Sequence, residues 1–344
     1  MYACVYHPPM SVHPAARPAG DLQQRLEQHR RELTGYCYRM LGSSFEAEDA
    51  VQETMLRAWR SIDRFEGRSA LKSWLYRIAT NVCMDMLNGR KRRARPMELT
   101  EVGTPESSLH TLPEATWLEP IPDAHVLPHS SDGDPAELAQ AQETLRLAFV
   151  ATLQHLPARQ RAVLILREAL RWSASETAEL LDTSVAAVNS SLQRARATIA
   201  DTAPTTDDTP ASLQPAEAGM LDRYVAAFEA YDIDSLVALL HEDATLSMPP
   251  FDLWLRGREH IAAWHLGTGH ECRGSRLVAT SGANGLPAFG QYRPTGPGGS
   301  FQPWALQVIE HSAGRITGLN AFLDTARLFP LFGLAPVPPD AAQT

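Results

Sequence analysis

Residues 173–196, SASETAELLDTSVAAVNSSLQRAR, decide how the chain is read. Ser173 followed by Glu176 is a capping box, in which two orphan helix donors are satisfied reciprocally, and it opens a short helix ending near Leu181. Asp182-Thr183 makes a tight turn, and Ser184 caps a longer helix to about Ile199. On that helix Val185, Val188, Leu192 and Ile199 fall on the inward face, while Ala187, Ser190, Ser191 and Arg194 share an exposed face at i, i+3, i+4 and i+7. A short helix, a three-residue turn and a longer helix with small polar residues outward form a helix-turn-helix. Small residues let such a helix enter a major groove, where hydroxyls reach base edges. Arg194 and Arg196 are placed to hold phosphates, which fix position rather than sequence. An ordinary solvated helix is the bland alternative.

Working outward, Pro135 starts a helix lined by Leu138, Ala141, Leu145, Ala148, Phe149 and Leu153, and a second helix runs from Ala158 to Glu168. An earlier unit, 21–95, reads as helical throughout. Asp21 caps a first helix that Gly42 stops, and Ser43 or Ser44 starts a second with a buried stripe of Ala47, Val51, Thr54, Met55, Ala58 and Ile62. After a Phe65-Glu66-Gly67 turn, a third helix buries Leu71, Trp74, Leu75, Ile78, Val82, Met86 and Leu87 and runs on through Arg90–Arg95 until Pro96 stops it. Arg68, Lys72, Arg77 and Asn81 lie off its apolar stripe with Trp74 and Tyr76 among them, and cations interleaved with aromatics suit a nucleic-acid strand whose bases are stacked. Glu46, Asp49 and Glu53 form an acidic row on the second helix, either solvated or a docking surface for a basic helix.

The 344 residues carry a net charge of -9, but the charge is partitioned: +5 over 20–95, -10 over 96–145 and +3 over 146–200, with the rest acidic. Two basic segments flanked by acidic ones point to a polyanion partner. The stretch 96–134, with Pro105, Pro113, Pro120, Pro122 and Pro128, reads as a mobile acidic linker, and 201–215 as a second linker. No apolar run of spanning length and no signal-type leader occur, and Cys4, Cys37, Cys83 and Cys272 lie far apart with no C-x-x-C pair. No metal site, cofactor or disulfide is indicated, and a reducing cytoplasm is expected.

Residues 48–96, EDAVQETMLRAWRSIDRFEGRSALKSWLYRIATNVCMDMLNGRKRRARP, resemble region two of the extracytoplasmic-function group of bacterial sigma factors. Residues 156–199, LPARQRAVLILREALRWSASETAELLDTSVAAVNSSLQRARATI, resemble region four. The resemblance implies core RNA polymerase, through its β′ coiled coil and β subunit, and promoter DNA as partners. It places Asp49, Gln52 and Glu53 on the surface that docks on the β′ coiled coil. It places Lys72, Trp74, Arg77, Asn81, Arg90, Arg92 and Arg93 at the minus-ten element, and Ser184, Ala187, Ser190, Ser191, Arg194 and Arg196 at the minus-thirty-five element. Asp182 stands where the family's turn has Gly, and Asp tolerates the left-handed backbone. Melting needs no catalytic side chain, so no turnover is expected from residues 1–200.

Residues 216–332 begin with two helices and continue with strands at Ala244–Met248, Arg276–Ser281, Ala288–Arg293, Trp304–Glu310 and Arg315–Leu323, with a helix at Gly257–His265. The order, and the stretch DATLSMPPFDLWLRGREHIAAW at 243–264, is similar to the SnoaL-like cone fold, with a curved antiparallel sheet. Trp254, Trp264, His265, Trp304 and Phe322 are expected to line its pocket, and His241, Asp243 and Asp324 are acid–base candidates. The fold class expected is therefore multidomain: all-α region-two and region-four sigma modules followed by an α+β SnoaL-like cone domain. The function expected is a sigma factor whose activity the cone regulates, with an anti-sigma factor or a small ligand of the cone as further partners. The alternatives are a stand-alone helix-turn-helix regulator, or a SnoaL-type cyclase or isomerase with a DNA-binding appendage.

Overall fold

The computed structural model describes residues 19–62, 65, 70–128, 134–202, 215–296 and 299–339. The first eighteen residues, the Glu66-Gly67 part of the expected turn, Arg68, positions 129–133 and the 203–214 part of the second linker lie outside the described residues.

The first module holds α1 (Ala19–Glu27), α2 (Arg30–Leu41), α3 (Ser44–Ser61) and α4 (Leu71–Leu87). The single first helix read from the sequence is interrupted at Gln28-His29, where the His29 amide turns back to the Leu26 carbonyl. Gly42 ends α2 in the left-handed conformation, φ 71°, as a C-terminal glycine does. The Ser43 hydroxyl accepts from the Glu46 amide at 3.1 Å and starts α3, whose stripe Ala47, Val51, Thr54 and Ala58 is buried. α4 ends at Leu87 rather than running to Arg95: Asn88 is extended, Gly89 takes φ 74°, and Arg90–Arg95 continue as extended chain, with Ala94 bridging Trp117.

The second module holds α6 (Pro135–Glu143), α7 (Leu147–Gln154), α8 (Ala158–Leu164) prolonged by a π-helical turn at Ile165–Ala169, α9 (Ala174–Leu180) and α10 (Val185–Thr202). The helix expected across 135–153 breaks at Thr144, because the buried Arg39 guanidinium takes the Thr144 carbonyl (3.2 Å), the Thr144 hydroxyl (2.7 Å) and the Ala141 carbonyl (3.3 Å).

The stretch expected to be a mobile linker is laid down as a strap, with a short helix α5 (Asp123–Val126). Its amides and carbonyls pair with cone loops: Gly103 to Trp254, Leu112 to Pro250, and His110 with Asp252. Trp117, Leu118, Ile121, Val126 and Leu127 are buried. Proline-rich chain is compatible with burial once its remaining backbone groups find partners.

The third module holds α11 (Pro215–Ala230), α12 (Ile233–Leu239), β1 (Leu240–Ser247), β2 (Trp254–Arg256), α13 (Arg258–Leu266), β3 (Arg276–Ala279), β4 (Ala288–Pro294), β5 (Phe301–Ser312), β6 (Arg315–Phe322) and α14 (Thr325–Leu331). The sheet order is β2-β1-β6-β5-β4-β3. It is mixed, not wholly antiparallel, because the last strand, β6, lies parallel to the first, β1, while the other pairings are antiparallel. One sheet face packs on α11–α13 through Phe289, Ile309, Ile316 and Leu319. The opposite face, through Ala288, Leu306, Val308 and Phe322, joins one continuous apolar core with α2, α3, α4, α7, α8 and α10.

The β3–β4 loop reaches between the modules. Asn284, at φ 55°, donates to the Tyr38 hydroxyl (2.6 Å) and the Leu145 carbonyl (2.7 Å), accepts from the Ile121 amide (3.0 Å) and donates its own amide to the Ile121 carbonyl (3.1 Å). Asn284→Ala leaves several buried groups unpaired and strains a left-handed position, so urea unfolding should show a loss of about 2–4 kcal/mol. Asn284→Gly, which relieves only the strain, should recover the smaller part.

Candidate polymerase and promoter interface

On α3, Asp49 and Gln52 are exposed, and Glu53 is half-buried and ion-paired with Arg57 at 2.7 Å. The row continues into Leu56 and Trp59, which are 48% and 61% exposed. Two large apolar side chains facing solvent beside an acidic row make a patch of mixed chemistry. The sequence carried that signal, since both positions fall off the buried stripe. At the start of α3, Glu46 pairs with Arg93 at 3.0 Å and with Arg90, and Arg327 of α14 lies over the Phe45 ring at 3.8 Å.

On α4, Lys72 pairs with Glu32 at 2.5 Å, Trp74 stacks on Phe65 with centroids 5.0 Å apart, and Asn81 is exposed. Arg77 donates to the Glu179 carbonyl of α9 at 2.6 Å, and the buried Tyr76 ring lies between Tyr36 and Trp172. Of the basic run, Arg90 and Arg92 are exposed, Arg92 against His155. Arg93 is buried: it donates to the Trp117 carbonyl at 2.6 Å and the Glu114 carbonyl at 3.3 Å. A cation spent on internal carbonyls is not presented to DNA, so Arg93 is corrected from a binding residue to a fastener of the strap.

The helix-turn-helix forms as the spacing predicts. Ser173 and Glu176 complete the capping box, Asp182 takes φ 47°, and the Ser184 hydroxyl accepts from the Ala187 amide at 3.2 Å. Ser184, Ala187, Ser190, Arg194 and Arg196 are exposed and Ser191 is half-buried. Arg194 donates to the Ser190 and Ser191 hydroxyls, at 2.6 and 3.2 Å, and Arg196 pairs with Glu168 at 2.6 Å. Val185, expected inward, is 43% exposed, because at the first turn it precedes the packed row Val188, Leu192 and Ala195.

The expected pocket residues of the cone are dispersed. Strand alternation sends Phe322 into the core shared with the sigma modules, and Trp264 packs in the helical-side core. Trp254 donates its indole N–H to the Thr100 carbonyl of the strap at 3.0 Å, and Trp304 lies under the Arg293 guanidinium at 3.6 Å. His265 is buried edge-on to Phe228 and Tyr231, and burial lowers its pKa to about 4, so it is neutral. Asp243 is exposed and paired with Arg256 at 3.0 Å, His241 accepts from the Asp243 amide, and Asp324 lies beside Arg327 at 3.6 Å. Those three acid–base candidates do not converge. Cys37 and Cys83, distant in sequence, meet as buried thiols, and the hydrogen bond with Cys37, then burial, holds the Cys83 thiol protonated. Among the described residues no cluster of metal-ligating side chains occurs and no helix is long and apolar enough to cross a membrane.

Residues 26–93 match the Sigma-70 region 2 family and residues 146–199 the Sigma-70 region 4 family, and residues 221–319 match the SnoaL-like domain. Two helical modules of these families in this order define the class, a sigma factor that binds core RNA polymerase and directs promoter-specific transcription initiation. The ECF RNA polymerase sigma factor SigG of Mycobacterium tuberculosis is 44% identical over 324 residues, covering 93% of this chain and 86% of that one. The chain belongs to the ECF RNA polymerase sigma factor family. SigJ of the same organism is 30% identical over 222 residues, 64% of this chain and 63% of SigJ. The SigJ crystal structure superposes with a TM-score of 0.57 at 24% identity, over 92% of this chain and 100% of that one, and shares the fold.

At the joint between strap and cone, burial shifts the titration of the Asp123 carboxyl group toward neutral pH. The Asp123 carboxylate accepts from the Gly285 amide at 2.7 Å, yet burial pushes its pKa from 3.8 up to about 7. A raised carboxyl pKa means that the folded state holds the proton more tightly than the unfolded chain. The stability this contributes is complete below pH 4 and is lost as pH rises to 7. Asp123→Asn keeps the acceptor and removes the titration, so its stability relative to wild type should rise between pH 4 and pH 7, read from urea midpoints across that range.

Proposed function

We propose that this structure is the closed, promoter-free form of the sigma factor and that the cone sets how readily it opens. The observation that carries this reading is Asn284, whose one side chain bridges Tyr38 in the first module and Leu145 in the second. Promoter elements centred at minus ten and minus thirty-five are about 25 base pairs apart, roughly 85 Å on straight duplex at 3.4 Å per pair. Here Arg77 of α4 touches α9, the neighbour of α10, so the two DNA-binding helices are separated by at most about two helix diameters, on the order of 20 Å. The modules must part before both elements are held at once.

In this reading Asp49, Gln52 and Glu53, extended by Leu56 and Trp59, dock on the polymerase β′ coiled coil and are open to it in the closed form. Lys72, Trp74, Arg77, Asn81, Arg90 and Arg92 take the unstacked minus-ten strand, which requires Arg77 and the face beside Trp172 to be released. Residues of α10 read the minus-thirty-five element. The cone serves as a structural regulator in a cytoplasmic factor rather than as an enzyme, a reading supported by the dispersal of its acid–base candidates.

Trp172→Ala removes the ring packed on Tyr76, and Asn284→Ala removes the bridge. Each should raise the radius of gyration in solution scattering and increase transcription by core polymerase several-fold at sub-saturating sigma factor. Unchanged compactness with unchanged or lower output would contradict the reading. Separately, Trp59→Ala should weaken core-polymerase binding about tenfold or more, the loss typical of an exposed aromatic anchor, as measured by fluorescence titration.

A further inference from the structure

Resting on the assignment of α10 to the minus-thirty-five element, the structure also says which of its edges reads the bases. The sequence points to the row Ala187, Ser190, Ser191 and Arg194. In the fold Arg194 donates to both serine hydroxyls, which occupies one lone pair of each and turns the guanidinium back along the helix. A second row, Val185, Asn189 and Gln193 at i, i+4 and i+8, is exposed on the adjoining flank. The Asn189 and Gln193 carboxamides take part in no hydrogen bond among the described residues. Together with Arg167, Leu192 and Arg196 they line an open groove of about 490 Å³ between α10 and the π-helical turn.

The chemistry of that flank is selective. A carboxamide offers one donor and one acceptor side by side, the complement of adenine N7 and N6–H₂ in the major groove. An exposed valine at the first turn suits the thymine methyl. Successive members of the row are one helical turn apart, about 5.4–6 Å, close to two base-pair steps of about 3.4 Å. Arg196, exposed and paired with Glu168, and Arg167, half-buried and donating to the Trp172 carbonyl, form the walls of that groove.

We propose that Val185, Asn189 and Gln193 form the base-reading edge of this sigma factor, and that the two amides select two adenines in the upstream promoter element. The serine row and Arg194 then serve the backbone.

The test uses the full chain reconstituted with core RNA polymerase and a pool of duplex promoters randomised across the upstream element, with transcribed templates sequenced. Wild type should enrich adenine at two positions. Asn189→Ala should flatten one and Gln193→Ala the other, with preferences falling by about 5- to 100-fold, the worth of a bidentate base contact. Asn189→Arg should move its position from adenine to guanine, which shows that the residue reads that base in a folded protein. Arg194→Ala should leave the preferences unchanged while reducing the salt slope of binding by about 0.9. Unaltered preferences in Asn189→Ala and Gln193→Ala, with Ser190→Ala or Ser191→Ala altering them, would overturn the proposal and leave α10 as the reading helix. If no α10 substitution changes either preference or affinity, the assignment of α10 itself fails.

Discussion

A buried asparagine in left-handed backbone is the constraint around which the three modules are arranged. Asn284 is fully buried, and its four hydrogen bonds end on the first module, the strap and the second module. Burying a carboxamide is favourable only when its donors and acceptors are met, so the module positions that meet them are specified together. The glycines on either side make the approach feasible. A Cβ on Gly285 would lie 2.9 Å from the Gln142 Cβ, and one on Gly282 would lie 2.5 Å from the Asp123 carboxylate. Both also have positive φ, which leaves glycine as the residue that fits.

This insertion explains why the cone cannot be regarded as an appended domain. Ala305–Ile309 on β5 are buried without alternation, the pattern of a strand covered on both faces. One cover is the cone's own helices and the other is the apolar core of the sigma modules. The strap completes the arrangement, running along cone loops through Gly103, His110 and Leu112 and returning to Gly42 through the Glu119 amide at 3.0 Å. Glu119 itself is buried beside the Ser43 hydroxyl, and burial raises its pKa. Glu119 thus touches both Ser43 at the start of α3 and Arg327 of α14 in the cone.

The helix periodicities, the caps at Ser43 and Ser173 and the turn at Asp182 were legible because each depends on residues within one or two turns of one another. The cone strands were legible for the same reason, except β2, whose three residues are too few to show alternation. What escaped the sequence was decided by distant groups. The strap looked mobile because prolines and acids hide the burial of Trp117, Leu118 and Ile121, which depends on partners distant in sequence: Arg93 and Ala94 for Trp117, Gly42 for Leu118 and Asn284 for Ile121. The basic run looked uniform, yet Gly89 turns the chain, Arg93 enters the interior and Arg95 is largely covered. Phe322 and Trp254 were assigned to one pocket, but strand parity and the strap's Thr100 carbonyl send them elsewhere. On α10 the exposed surface was visible, while the engagement of its serines by Arg194 was not.

The same buried cations that join the modules also limit how firmly they are joined. Arg39 reaches from α2 to Thr144 and Ala141, and Arg161 reaches from α8 to Gln154 and Leu156 and to the Met40 carbonyl. Burial lowers both pKa values to about 10, so each guanidinium is still charged at neutral pH and is held by carbonyl dipoles in place of water. Removing a charge from water costs several kcal/mol before its new partners offset it. Parting the modules breaks the hydrogen bonds of Arg39 to the second module and of Arg161 to the first, but it lets both groups rehydrate, which recovers much of that cost. An interface made only of leucine and valine would offer no such recovery. In the proposed opening the apolar core resists parting while these charged groups gain from water, so the mixture narrows the free-energy gap that polymerase binding would have to bridge.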